Sequence, residues 1–333
     1  MDGMRGDPAA LLLLADSRLP AGGHAHSGGV EEAVRLGTVT DVDDLARFLR
    51  GRLATAGLVT AALSAAACEL AAGEPDVVGE AGSPAPSARP YAADASWRTG
   101  GNGRAGAAAA EVAAAEDLRR RLWRRLDDEA DARTASPAQR EAARTQGRLL
   151  LRTARRLWPS PALETLARAI PEGPHHPIAL GAAAASAGCE PQQAALAAAY
   201  TSVTGPATAA VRLLGLDPVT VHRLLADLAP ALNDAAHAAC ASLMDTVLTD
   251  TTLTDTALTD TAVTDTALSG PASSGPAGVD TPPGSAGPPL GDAPGPAPTG
   301  WRGGWAGLPG HSAPALDLLA EGHLANPMKL FVS

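Results

Sequence analysis

Aromatic residues make up only 3% of this 333-residue chain, so its core cannot rest on large ring contacts. Alanine and leucine take their place, and both lose little side-chain freedom in a helix, which predicts an all-α protein. A core of many small contacts also predicts a domain that leans on an oligomer or a partner for stability. Cysteine is scarce. Cys68, Cys189 and Cys240 stand far apart and form no Cys-x-x-Cys, which argues against a disulfide framework and a zinc motif and fits a reducing compartment. Positive charge is in deficit, with a net −10 at pH 7, which disfavours a nucleic-acid-binding surface. Long apolar runs are missing too. Ala9 to Ala15, flanked by Asp7, Asp16 and Arg18, is too brief for a signal peptide, and Leu53 to Cys68 falls short of a bilayer span. A soluble cytoplasmic protein with no membrane contact is expected.

Signatures of catalysis are equally thin. The chain has no nucleophile elbow, no His-Glu-x-x-His helix and no P-loop. Ser27 follows His26 directly, but adjacent loop residues rarely face one another and no third group is placed to orient them. The chain is expected not to be an enzyme.

What is abundant is glycine and proline, 35 and 28 residues, concentrated in two stretches near 73 to 106 and 270 to 314. These are too poor in apolar side chains to offset the entropy of ordering. The expected organisation is a single compact helical domain over 1–247 interrupted by a flexible insertion at 73–106. A disordered segment at 245–314 and a helix or tail at 315–333 follow. Residues 245 to 269 are five tandem pentapeptides of the type Asp-Thr-Ala-Leu-Thr. Five copies are too few for a stacked solenoid, and a period of five matches neither helix nor strand, so disorder is expected there. Helix starts are marked by a capping side chain before proline at Asp7-Pro8, Ser136-Pro137, Ser160-Pro161 and Asp217-Pro218. Ser136 with Gln139 reads as a capping box, and Thr40 with Asp43 resembles one. Gly37, Gly188 and Gly215 read as C-terminal caps. About ten helices follow, near 8–16, 27–36, 41–72, 108–134, 137–157, 161–169, 177–187, 191–203, 206–214 and 218–247, the last kinked or broken by Pro230. On the fourth, Arg124 with Asp128 and Arg125 with Glu129 have the spacing of ion pairs.

Four places invite a functional reading. His24 and His26 form a His-x-His in a loop bracketed by Gly22, Gly23, Gly28 and Gly29. Imidazole pairs suit divalent nickel, copper or zinc, but a third ligand has to come from elsewhere in the fold or from a second copy. The other reading is hydrogen-bonding or packing by loop histidines. The glycines let the backbone turn tightly and allow another surface to approach. Arg140, Arg144 and Arg148 recur every four residues and share one helix face, either meeting an acidic partner or facing solvent. His175 and His176 precede Pro177 and read as a linker or cap, while His222, His237, His311 and His323 receive no role. Met328, Leu330 and Phe331 give the chain an apolar end that wants a surface to dock on.

Several blocks resemble the urease accessory protein UreF family. Leu11 to Glu32 contains Pro20, Gly22, Ser27, Gly29 and Glu31 in the family's Pro-x-Gly-x-x-x-x-Ser-x-Gly-x-Glu signature, with His24 and His26 where many members carry aromatic residues. Gln139 to Arg152 matches an arginine-rich helix containing Arg140, Arg144, Gly147 and Arg148. His176 to Leu214, with Gly181, Tyr200 and Arg212, is similar to a helical pair of the family, although Ser202 to Pro206 departs from the commoner polar version. The Leu330-Phe331 ending completes the likeness. The resemblance implies an all-α homodimer that joins UreD (also called UreH) and the GTPase UreG in a cytoplasmic complex delivering nickel to apo-urease. No cofactor is expected to stay bound, and nickel would pass only transiently. Partner contacts would fall at Pro20, Gly22, Gly23, Ser27, Gly28, Glu31, Arg140, Arg144, Arg148, Tyr200, Arg212, Leu330 and Phe331. The competing classes are a helical DNA-binding regulator and a metal-dependent enzyme built on His24 and His26.

Overall fold

The computed structural model describes residues 8–16, 18–19, 26–73, 101–257, 305 and 307–332. Among the described residues every regular element is a helix. They are α1 (Pro8–Ala15), α2 (Val30–Arg35), α3 (Val42–Arg52), α4 (Leu58–Ala72), α5 (Gly101–Ala132), α6 (Pro137–Leu157), α7 (Pro161–Ala169), α8 (His176–Ser186), α9 (Pro191–Leu214), α10 (Pro218–Asp227), α11 (Ala229–Ala257) and α12 (Pro314–Ala325). A π-helical stretch, Leu53–Gly57, joins α3 to α4 without a break.

The local signals explain most of these boundaries. Ser136 and Ser160 each accept a hydrogen bond from the amide three residues on, at 3.1 and 3.3 Å, and Asp217 accepts from Val219 and Thr220, each just ahead of a proline at the first helical position. Gly215 ends α9 with φ of 63°, a left-handed turn that a Cβ would strain. At α3 the cap lies one residue later than the Thr40 reading. Asp41 accepts from the Asp44 amide, and the Asp44 carboxylate reaches back to Thr40. Only half of the Ser136 box forms, because the Gln139 side chain turns to Asp317 of α12.

The centre is α4, which packs on α8 and α9 and is crossed by α11, while α6 covers the far side of α8. Both α4 and α8 are buried nearly all round, as a helix apolar on every face must be. The continuous span Val42–Ala72 is the one among the described residues long and apolar enough to cross a membrane, and 67% of its apolar window is buried inside the domain. The core is chiefly alanine and leucine, with Trp123 the largest fully buried side chain among the described residues.

Four expectations are corrected. The break foreseen between 203 and 206 does not occur: α9 runs unbroken through Gly205 and Pro206. The ion pairs Arg124–Asp128 and Arg125–Glu129 do not form, because Glu129 pairs with Arg133 and Arg124 donates to the Ala169 carbonyl at 3.0 Å. The α11 helix continues to Ala257, into the pentapeptides, where no glycine or proline interrupts it; residues 258–304 lie outside the described residues, as does most of the 73–106 insertion. Trp305 and Leu308, expected in a disordered linker, are buried, and the Arg133 guanidinium donates to the carbonyls of Trp305, Leu308 and Pro309 at 3.0 to 3.2 Å.

Candidate functional site

Residues far apart in the sequence meet where the loop before α2 touches α9, α3 and α12. Gly28 and Gly29 take left-handed conformations with φ of 61° and 91°. A Cβ on Gly28 would stand 2.8 Å from the Pro206 ring and 3.3 Å from the Arg52 guanidinium, and one on Gly29 would stand 3.5 Å from Leu319 of α12. The glycine pair therefore lets this loop lie between two helices.

Arg52 ties the loop down. Pro206 has no amide proton, so the Ser202 carbonyl one turn earlier loses its helical donor. Arg52 Nε donates to that carbonyl at 2.8 Å, and its Nη1 donates to the Gly28 carbonyl at 2.9 Å. Burial lowers the Arg52 pKa to about 10, which still leaves it charged at neutral pH. Arg52→Met is expected to reduce stability by about 2–3 kcal/mol, since two carbonyls lose a charged donor. Arg52→Lys, which cannot fork to both, should lose roughly half as much. Urea titration of the variants checks both values.

Glu31 sits in the first turn of α2. Its side chain is buried, and it accepts from the Leu330 amide at 2.5 Å and the Phe331 amide at 3.1 Å. His323 of α12, also buried, donates through Nε2 to the Phe331 carbonyl at 3.3 Å and places Nδ1 3.5 Å from the Glu31 carboxylate. Next to it Glu32 pairs with Arg35, and that hydrogen bond holds its carboxyl below the usual range against the opposing effect of burial. A Cβ on Gly322 would lie 2.6 Å from the Glu32 carboxylate, which keeps α12 close to α2. One residue before Gly322, Glu321 caps α6, accepting from Ser136 Oγ at 2.5 Å and from the Ala138 amide at 3.0 Å.

The two histidines of the His-x-His part company in what the structure describes. His24 lies outside the described residues, as do Pro20, Gly22 and Gly23. His26 is buried near His176, whose pKa is pushed down to about 4 by desolvation first and by His26 second. Among the described residues no three histidine, cysteine or acidic side chains gather as a metal-binding group. Ser27 is fully buried, and its hydroxyl makes no hydrogen bond among the described residues, so no Ser27–His26 dyad forms.

The arginine stripe is engaged within the chain. Arg140 donates to the Thr134 and Ala135 carbonyls, and Arg148 to the Glu172 carbonyl and Thr145. Arg144 reaches Asp127 at 3.0 Å, the Gly173 carbonyl at 3.1 Å and Asp131 at 3.3 Å. Asp127 is itself buried, and its other oxygen accepts from the His175 amide at 2.8 Å and bonds the ring Nδ1 at 3.0 Å. Tyr200 and Arg212 are exposed on α9, and Leu330 is exposed while Phe331 packs against the core. Sequence reasoning missed Arg52, Asp127 and His323. For Arg52 a signal existed, because a proline kept inside a helix requires an outside donor for the carbonyl that it orphans.

A family model for UreF matches residues 39–229, which spans α3 to α10. The chain belongs to the UreF family. Curated urease accessory proteins UreF resemble it over most of their own length. That of Mycobacterium sp. strain JLS is 43% identical over 241 residues, covering 72% of this chain and 89% of the relative. Those of Mycolicibacterium vanbaalenii and of Mycobacterium tuberculosis strain H37Rv are 40% and 37% identical over 237 residues, 71% of this chain and 87% of each relative. The all-α architecture expected for UreF is the one found. The UreF model begins after α2, so the Glu31 contacts and α12 lie outside its match.

Proposed function

We propose that this chain is a non-catalytic scaffold in urease maturation, holding UreD and the GTPase UreG together and coupling GTP hydrolysis to nickel delivery into apo-urease. Nickel is cargo that passes transiently, the working form is a homodimer, and the setting is the cytoplasm. The observation that carries this reading is the row of apolar side chains on α12 and the segment after it. Leu318, Leu324, Met328, Leu330 and Val332 are 60 to 82% exposed, although their backbone is docked on α2. A row of this kind serves as a contact for another protein. The engaged arginines fit the same reading, since a scaffold needs a rigid helical surface more than a pocket.

The test is reconstitution. The urease structural genes, expressed with the other accessory genes, are expected to yield nickel-dependent urea hydrolysis only when this chain is present. The pair Met328→Asp and Leu330→Asp, which leaves α12 and its cap on α6 intact, should abolish co-purification with UreD. Ureolysis unchanged without the chain would overturn the reading.

A further inference from the structure

The second half of α6 is cationic in a chain of net charge −10. From residue 142 to its end the helix carries Arg144, Arg148, Arg152, Arg155 and Arg156 and no acidic residue. Arg155 and Arg156 lie in the last turn, where the helix dipole favours a positive charge; Arg152 lies a turn earlier. Arg148, Arg152 and Arg155 rim a groove of about 190 Å³ between α6 and α7, and Leu151, Ala167 and Ile170 form its apolar floor. Two of the three arginines are held by the chain itself. Arg148 donates to the Glu172 carbonyl, Thr145 and Glu141, with its stem in the space that a Cβ on Gly173 would fill. Arg155 forks onto Glu164 with nitrogen to oxygen distances of 2.7 and 2.6 Å. Arg152 is exposed, and its guanidinium meets no acceptor among the described residues.

We propose that the groove between α6 and α7 docks an extended acidic segment of a partner protein. An aspartate or glutamate of that segment takes the Arg152 guanidinium side-on, as Glu164 takes Arg155, and a neighbouring apolar residue lies on Leu151, Ala167 and Ile170. The volume is below the roughly 300–1,000 Å³ of a small-molecule pocket and suits a few side chains. Glu141, Glu164 and Glu172 accompany the same arginines, which works against a polyanion such as nucleic acid and leaves a place for a single carboxylate. The groove lies at the opposite end of α6 from the contacts of α12, so this docking is independent of the apolar row there.

The test uses the full chain and a fluorescein-labelled peptide, Ser-Leu-Glu-Leu-Glu-Ser, with its lysine-for-glutamate counterpart as the opposite. The acidic peptide should bind and the basic one should not, and binding should weaken as salt is raised. Arg152→Gln should reduce the affinity roughly tenfold. Arg156→Gln removes the same charge from an exposed position of the same helix, outside the groove, and should change it less than about twofold. Ala167→Glu keeps every arginine but puts a carboxylate beside Arg152, and should block binding as well. No binding of the acidic peptide, equal losses in the two arginine variants, or full affinity in Ala167→Glu would overturn the site. Inorganic phosphate or a single-stranded oligonucleotide that binds more tightly than the peptide, and is lost with Arg152→Gln, would refute the acidic segment as occupant. Self-association of the chain that Arg152→Gln abolishes would refute it too.

Discussion

Asp127→Ala is expected to lower stability by about 3–5 kcal/mol, the range for removing one partner of a buried ion pair. Asp127 accepts the His175 amide, meets the His175 ring and pairs with Arg144, so truncation leaves three donors facing a void. One of them is the amide at the N-terminal cap of α8, and the loss is felt at the junction of α5, α6 and α8. The effect carries a pH signature. Burial works to raise the Asp127 pKa, but the hydrogen bonds and charge of His175, with Arg144, outweigh it and hold the group below its usual 3.8. A carboxyl depressed in the folded state contributes stability that is present above pH 3.8 and is lost as pH falls through the folded value. Urea denaturation between pH 3 and 6 should show that limb in the wild type and a shallower one in Asp127→Asn. An equally steep limb in the variant would assign it to other groups.

Gly181→Val is expected to be as damaging, at about 3 kcal/mol or more, for a different reason. The α4 and α8 backbones touch at Gly181. A Cβ there would lie 2.2 Å from the Ser64 carbonyl oxygen, 2.7 Å from the Ala67 methyl and 2.9 Å from the Cys68 nitrogen. Two of those three neighbours are backbone and no rotamer change relieves them, so the helices must part. The control is Gly51→Ala on the exposed side of α3, where a new methyl meets nothing within 4 Å. That change should raise stability by up to about 1 kcal/mol through helix propensity. Melting curves of the two variants should move in opposite directions; a shared direction would refute the close-contact account.

Sequence carried the parts of the fold that depend on neighbours in the chain. Both ends of α6 and α7 were legible because a capping serine, a proline and a run of periodic leucines act within a few residues. Contacts between distant segments left no such trace. Pro206 announces that the Ser202 carbonyl needs an outside donor, but nothing local says that Arg52, 150 residues before Ser202, supplies it. The stripe Arg140, Arg144 and Arg148 was legible as one helix face, but its partners Asp127, Asp131 and the backbone of residues 172 and 173 come from other elements. Glu31 was legible as a signature residue, and Leu330-Phe331 as an end in search of a surface. That the first is a surface for the second became visible only in three dimensions.

The alanine-rich interior has one more consequence. Methyl groups are nearly alike in shape, so α4, α8 and α9 meet across a smooth boundary with few interlocking protrusions to choose between one sliding position and the next. What selects the position is a set of polar pins set into the packing: Ser64 Oγ on the Pro177 carbonyl at 3.0 Å, the Cys68 thiol on the Cys189 carbonyl at 3.4 Å, and Arg52 on Ser202. Register among these helices is thus written in a few hydrogen bonds, while the small side chains around them supply cohesion with little power to discriminate.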